Sequence, residues 1–253
     1  MYIDCHSHLL PGVDDGSRTM EESLEMLGLL RSQGVTRAML TPHLNSPYIE
    51  TYMLHHYGRS PVREEELRRI FRQLRERCAE NPERYPALAL GSEYYYEPGL
   101  SDVEPIPMGG SGYVLLELPY DATLYDVQYA VDQLRSRGRR VILAHPEKYA
   151  AFQQEDWSAP LRFLQNEPDI KVQVEAWNTF KGDPFTWRFL ESRTAHMLGT
   201  DSHGYHRPPV YDRAVEALRA WSAGDKEKEA YVEYLTCSGP AELFSSAWET
   251  DAE

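Results

Sequence analysis

The sequence predicts an α/β fold, a closed or distorted (β/α)7 barrel, on three observations. Apolar strand-like runs alternate with amphipathic helical stretches seven times along the chain. The runs are almost continuously apolar, as strands of a parallel sheet covered on both faces must be. No glycine-rich dinucleotide or phosphate-binding turn follows any of them, which weakens the open nucleotide-binding sheets. A chain of 253 residues has the length of one such barrel. With no repeat, linker or low-complexity tract, it reads as one domain over 1–253, with a mainly helical tail from about 209.

Met1 to Ile3 reads as the first strand. Thr19-Met20-Glu21-Glu22 is a capping box, and the helix behind it carries Leu24, Leu27 and Leu30 on one face until Gly34. Val35 to Thr41 is a strand running into Pro42-His43. Residues 45–61 show no clean period and read as an irregular loop. A charged helix over 62–81 buries Leu67, Ile70, Phe71 and Leu74, Ala87–Leu90 is a strand leading to Glu93, and a Pro- and Gly-rich loop covers 98–112. The remaining strands are 113–118, 141–144, 170–176 and 196–200. Helices fall at 124–138, 159–166 and 185–191, and the tail breaks near Gly224 and Gly239-Pro240.

Composition narrows the function. Forty acidic against 26 basic side chains give a net charge of −14, which disfavours a duplex nucleic acid held by its phosphates. No apolar run reaches the roughly 20 residues of a membrane span, and the acidic N-terminus lacks a basic, then hydrophobic leader, so no membrane insertion and a cytoplasmic location are expected. Three scattered cysteines argue against a disulfide framework.

Enzymes on this fold build their chemistry at the C-terminal ends of the strands. Those ends carry His6 and His8, His43, Glu93, Glu117, His145, and Asp201 with His203, and the sixth offers Asn178. Taken singly, each has a structural explanation: a salt-bridged glutamate, a satisfied core histidine, a capping aspartate. Together, mixed imidazole and carboxylate donors on six strand ends imply two or three divalent ions, with Mn²⁺, Fe²⁺ and Zn²⁺ all compatible.

Asp4-x-His6-x-His8, Thr41-Pro42-His43, Gly91-x-Glu93, Glu117, His145-Pro146-Glu147 and Asp201-x-His203 resemble the polymerase-and-histidinol-phosphatase (PHP) superfamily. Within it, Val13-Asp14-Asp15-Gly16, Gly91-Ser92-Glu93-Tyr94-Tyr95-Tyr96, Ala144 to Tyr149 and Arg207-Pro208-Pro209 look like the CpsB/CapC/YwqE-type bacterial protein tyrosine phosphatases. The resemblance covers Met1 to about Pro209. It implies a TIM-like barrel of the PHP type and a two- or three-metal, usually manganese, site ligated by His6, His8, Asp15, His43, Glu93, Glu117, His145, Asp201 and His203. Asp15 rather than Asp14 is the implied ligand. It also implies that Arg207 holds the substrate phosphate, and that Lys148 stands where these phosphatases carry a second arginine, keeping the charge without the bidentate fork.

The implied reaction is hydrolysis of phosphotyrosine by a metal-bridging hydroxide, with His203 or a bound water supplying the proton. The implied partner is a phosphotyrosine protein, a bacterial tyrosine autokinase of capsule or exopolysaccharide synthesis. Tyr48, Tyr94, Tyr95 and Tyr96 could line a slot for the phenyl ring. Alternatives are a small-molecule phosphoesterase such as histidinol phosphatase, an amidohydrolase or metal-dependent nuclease, and a binding module without turnover. Cys78 and Arg84 have the Cys-x5-Arg spacing of cysteine-dependent phosphatases, but the residues between them include two glutamates and no glycine, so the match is coincidental.

Overall fold

The computed structural model describes residues 1–99 and 103–248. Part of the predicted 98–112 loop and the last five residues therefore lie outside the described residues. The elements run β1 (Tyr2–Asp4), α1 (Met20–Ser32), β2 (Val35–Leu40), β3 (His43–Leu44), α2 (Pro47–Tyr57), α3 (Glu64–Ala79), β4 (Ala87–Leu90), β5 (Glu93–Tyr95), β6 (Tyr113–Glu117) and α4 (Leu124–Ser136). They continue with β7 (Arg140–Ala144), α5 (Ser158–Asn166), β8 (Lys171–Glu175), α6 (Ala176–Lys181), α7 (Pro184–Glu191), β9 (Met197–Gly199), α8 (Tyr211–Ser222), α9 (Lys226–Glu233) and α10 (Gly239–Leu243). Among the described residues, no helix is long and apolar enough to cross a membrane.

Among the described residues, every pairing between strands is parallel. β1, β2 and β4 form one ribbon, and β3, β5, β6, β7, β8 and β9 form another in that order. The break between them is local. Only Thr41 and Pro42 separate β2 from β3, and Pro42 has no N–H to donate to a ladder. The chains nevertheless stay in step, because Gly91 N donates to Leu40 O (2.9 Å) and Glu93 N to Pro42 O (3.1 Å). At the far side, Cys5 N donates to Leu198 O (3.3 Å), Asp201 N to His6 O (2.8 Å) and His8 N to Ser202 O (2.9 Å). The sheet is therefore curled, and the segment after β9 lies beside the segment after β1.

Alternation along the strands explains why the runs read as continuously apolar. Val114, Leu116, Val141, Leu143 and Leu198 pack outward into the large cluster under the helices. Ile3, Met39, Leu115, Ile142 and Met197 face a second cluster inside the curl, which is joined by Phe244 from the chain's last turns. The expected helical tail thus contributes to the interior. Its break at Gly224 is observed, but at Gly239-Pro240 the chain remains helical: a π-helical turn over Tyr234–Ser238 leads into α10, whose first turn tolerates Pro240.

Two local expectations are corrected. Residues 45–61 contain α2, capped by Ser46, started by Pro47 and stopped by Gly58 in the left-handed region. The predicted capping box is half formed. Thr19 Oγ1 accepts from Glu22 N, but the Glu22 carboxylate takes Arg18 N (3.0 Å) and Tyr205 N (2.7 Å) instead of closing back on Thr19. Glu22 thereby ties α1 to the loop that carries His203 and Arg207.

Candidate metal centre

The first donors are oriented by neighbours behind them. Gln173 on β8 donates its amide Nε2 to Val174 O (2.8 Å), which turns its Oε1 toward His6 Nδ1 (2.8 Å). Asp14 Oδ2 lies 2.8 Å from His8 Nδ1 and also accepts His43 N (3.0 Å), while Oδ1 accepts Gly16 N (3.0 Å). These contacts assign the proton of both rings to Nδ1 and leave both Nε2 lone pairs facing inward. The turn from Pro11 to Gly16 admits only glycine at its end, since a Cβ on Gly16 would lie 1.8 Å from the His8 carbonyl oxygen.

At the centre, His6 Nε2 and His8 Nε2 are 3.1 Å apart. Glu93 Oε2 lies 3.4 and 3.2 Å from them, and Asp201 Oδ1 3.4 and 3.3 Å. His43 Nδ1 is 3.0 Å from the same Glu93 oxygen and 3.4 Å from Glu117 Oε2. His145 Nε2 is 2.8 Å from Glu93 Oε1, and Asp15 Oδ1 is 3.4 Å from His203 Nε2 and 3.7 Å from His43 Nε2. Acceptor atoms crowded this closely repel one another unless positive charge sits among them.

The side chains form three groups that could each hold an ion: His8, Asp15, His43 and His203; His6, Glu93, His145 and Asp201; and His43, Glu93 and Glu117. Within each group the donor atoms lie within 4.8 Å of one another. All nine implied ligands are thus brought together, from six separate strand ends or the loops after them. Asn178 is not among them. It sits in α6 and donates to Glu175 Oε2 (2.9 Å), so the sixth strand end presents Glu175 to the site instead.

The electrostatics point the same way. Burial works against charge on Glu93, yet His6 and His43 hold it well below the usual carboxylate range. Burial likewise opposes charge on Asp15 and Asp201, yet His203 and His43 hold Asp15 down, and Lys148 and Arg207 hold Asp201 down. Conversely, burial disfavours a charged His43, but Glu93 raises it to about 9. A cage this demanding of positive charge, with buried Glu93 Oε2, His43 Nδ1, Asp15 Oδ1 and His145 Nδ1 making no hydrogen bond among the described residues, fits divalent cations. Two donors also sit on strained backbone, with φ of 31° at His145 and 50° at Asp201.

Asp201 faces two ways. Its Oδ1 belongs to the donor cluster, and its Oδ2 takes Lys148 Nζ (3.1 Å) and Arg207 Nη2 (2.9 Å). Glu175 pairs with the same two cations, at 2.9 Å from Lys148 and 3.5 Å from Arg207. Sequence reasoning passed over Glu175, Gln173 and the supporting role of Asp14. Glu175 could have been found, because it too ends a predicted strand. Asp4 is structural: its carboxylate accepts from Thr200 N (2.8 Å) and Thr200 Oγ1 (2.6 Å), joining the ends of β1 and β9.

Seven of the nine donors, all but the fully buried His6 and His8, line a cleft of about 870 Å³ together with both cations, and its walls include Tyr48, Tyr52, Tyr95 and Tyr120. Tyr94 and Tyr96, expected there, are elsewhere: Tyr94 is buried in the large apolar cluster and Tyr96 packs 6.4 Å from Tyr129. The backbone alternation after Glu93 turns only the middle tyrosine into the cleft. Cys78 is buried on α3, where burial pushes its thiol up to about 12, and Arg84 lies over the Tyr85 ring. The Cys-x5-Arg spacing has no functional geometry.

The family model for capsular polysaccharide synthesis proteins of the CpsB/CapC type matches residues 2–245. The chain belongs to the CpsB/CapC family. It is 26% identical over 246 residues to the tyrosine-protein phosphatase CpsB of Streptococcus pneumoniae, covering 91% of this chain and 95% of that protein. It is 25% identical to the putative tyrosine-protein phosphatase CapC of Staphylococcus aureus, covering 91% and 88%. Among solved structures, the metal-dependent tyrosine phosphatases YwqE of Bacillus subtilis and CpsB of S. pneumoniae share the fold, with a TM-score of 0.74, 20% identity, and 96% and 94% of the two chains covered. Lys148 of this CpsB/CapC chain, expected to differ from a family arginine, makes two ion pairs through a single nitrogen.

Proposed function

We propose that this CpsB/CapC chain is a metal-dependent phosphotyrosine-protein phosphatase on a distorted (β/α)7 barrel, counting β2 with β3 and β4 with β5 as single interrupted strands. One observation carries the reading: three groups of metal donors, seven of whose nine residues line one cleft, meet two cations there, Lys148 and Arg207. The nine donors, His6, His8, Asp15, His43, Glu93, Glu117, His145, Asp201 and His203, would hold two or three ions, manganese foremost. Bound there, divalent cations supply Lewis acidity, activating a water and neutralising phosphoryl oxygens.

The chain's own residues do the rest. Gln173 and Asp14 hold the His6 and His8 rings in one tautomer. Lys148 uses two of its three donors on Asp201 and Glu175, leaving one for a phosphate oxygen. Arg207 offers further guanidinium N–H groups beside it. A tyrosinate leaving group, with an ordinary pKa of about 10, departs without a strong acid. The sequence resemblance supports as substrate a tyrosine autokinase of capsule or exopolysaccharide synthesis, in a cytoplasm where its free cysteines stay reduced.

The test is hydrolysis by purified protein of a phosphotyrosine peptide beside histidinol phosphate, with and without chelator, and with Asp201→Asn. The reading expects metal-dependent turnover of the peptide and its loss in the variant. Chelator-insensitive activity, or preference for the alkyl phosphate, overturns it.

A further inference from the structure

Exposed aromatic side chains are informative where they gather on the wall of a site, since singly exposed ones are ordinary. Tyr48 and Tyr120 are both 61% exposed, and both lie on the wall of the same cleft. They come from different parts of the fold. Tyr48 stands near the start of α2, whose opposite face is anchored by buried Ile49 and Met53. Tyr120 follows β6, two residues after buried Leu118.

Their backbones place them at two edges of the donor cluster: Tyr48 lies on α2 five residues after His43, and Tyr120 O accepts from Ala150 N (2.7 Å), two residues after Lys148. Besides burial, the Asp15 carboxylate and Tyr52 push the Tyr48 phenol up. Burial raises the Tyr120 phenol, Lys148 lowers it, and Glu117 raises it again. Tyr48 therefore stands beside the Asp15 group and Tyr120 beside the Lys148 edge. Tyr52 continues the first wall one helical turn on, with its ring centroid 6.1 Å from that of Tyr48 and 4.3 Å from His56.

We propose that Tyr48 and Tyr120, with Tyr52 behind Tyr48, form an aromatic clamp that holds the aryl ring of a phosphate monoester and selects aryl over alkyl phosphates. The inference rests on the phosphatase reading for the phosphate end of the ligand. The ring end rests on the clamp alone. An aryl phosphate seated on the metal donors projects its ring between the two walls, where offset or edge-to-face contact is favourable. A serine or histidinol phosphate has no ring at that depth.

The test compares Tyr48→Leu, Tyr120→Leu and the matching phenylalanine variants, all metal-loaded. Two readouts are used: kcat/KM on a phosphotyrosine peptide against an alkyl phosphate, and calorimetric affinity for phenylphosphonate against methylphosphonate. Each leucine variant is expected to lower the aryl-to-alkyl ratio about tenfold in both readouts, mainly through KM, and each phenylalanine variant to retain it. An unchanged ratio with intact turnover overturns the clamp, as do equal losses on both esters. Wild-type protein that turns over no ester yet prefers phenylphosphonate keeps the clamp and removes the phosphatase reading. Absence of both turnover and that preference removes both.

Discussion

Asp14 belongs to none of the three groups of candidate donors, yet its loss should weaken metal binding through His8. In Asp14→Asn the Oδ1 contact to Gly16 N (3.0 Å) survives, but the new amide cannot accept from His8 Nδ1 and His43 N at 2.8 and 3.0 Å. One outcome is a rotated His8 ring. The other is a shifted tautomer that puts a proton on Nε2, the atom 3.2 Å from Glu93 Oε2. Either removes a donor from the central cluster. Losing such a partner behind a ligating histidine typically costs 10- to 100-fold in metal affinity, about 1.4–2.7 kcal/mol. The stranded N–H of His43 adds about 1–3 kcal/mol of lost stability. Competition of the purified variant against a metal-buffering chelator, followed by urea unfolding, measures both. Metal affinity within twofold of wild type in a folded variant would refute the orienting role of Asp14.

Three further outcomes follow from the geometry. Glu175→Gln removes one of the two carboxylates that neutralise Lys148 and Arg207, so inorganic phosphate should inhibit about two- to fivefold more tightly; weaker inhibition contradicts the cation assignment. Gly199→Ala would set a Cβ 2.5 Å from His6 Cβ and 2.8 Å from Gln173 Nε2, costing about 1–3 kcal/mol in urea unfolding and lowering bound metal; a wild-type midpoint contradicts this. His196, whose Nδ1 accepts Val172 N, is pushed down to about 4 by burial and then Lys171. Below its ordinary 6.5 the unfolded chain takes up a proton that the folded chain refuses, so stability present above pH 6.5 is lost as pH falls toward 4. Between pH 7.5 and 5 that loss is about 2 kcal/mol, and His196→Gln should remove it from the pH dependence of unfolding.

Much of the site was legible because strand ends are where periodic apolar runs stop. The same rule that marks His43, Glu93 and His145 would have marked Glu175, had Asn178 not been preferred three residues later. Asp14 and Gln173 left no comparable signal: their roles depend on which ring nitrogen each meets, a matter of tertiary contact. Helix α2 was hidden by function. Tyr48, Tyr52 and His56 follow a helical spacing but face the cleft, leaving only Ile49 and Met53 buried, so its apolar period is too thin to register. Ser46-Pro47 and Gly58 were its readable start and stop signals. The interrupted strands at Thr41-Pro42 and Gly91-Ser92 were likewise marked by a residue with no N–H and one with no side chain. A Cβ at Gly91 would meet Met108 Sδ at 2.6 Å.

The central claim is that the nine converging side chains hold the metal on which phosphotyrosine hydrolysis depends. Stripping the purified protein with chelator and titrating Mn²⁺ back, with elemental analysis at each point, tests it directly. Activity on a phosphotyrosine peptide should vanish in the stripped protein and rise in proportion to bound metal, saturating at two to three ions per chain. Full turnover at less than a tenth of an ion per chain would contradict it.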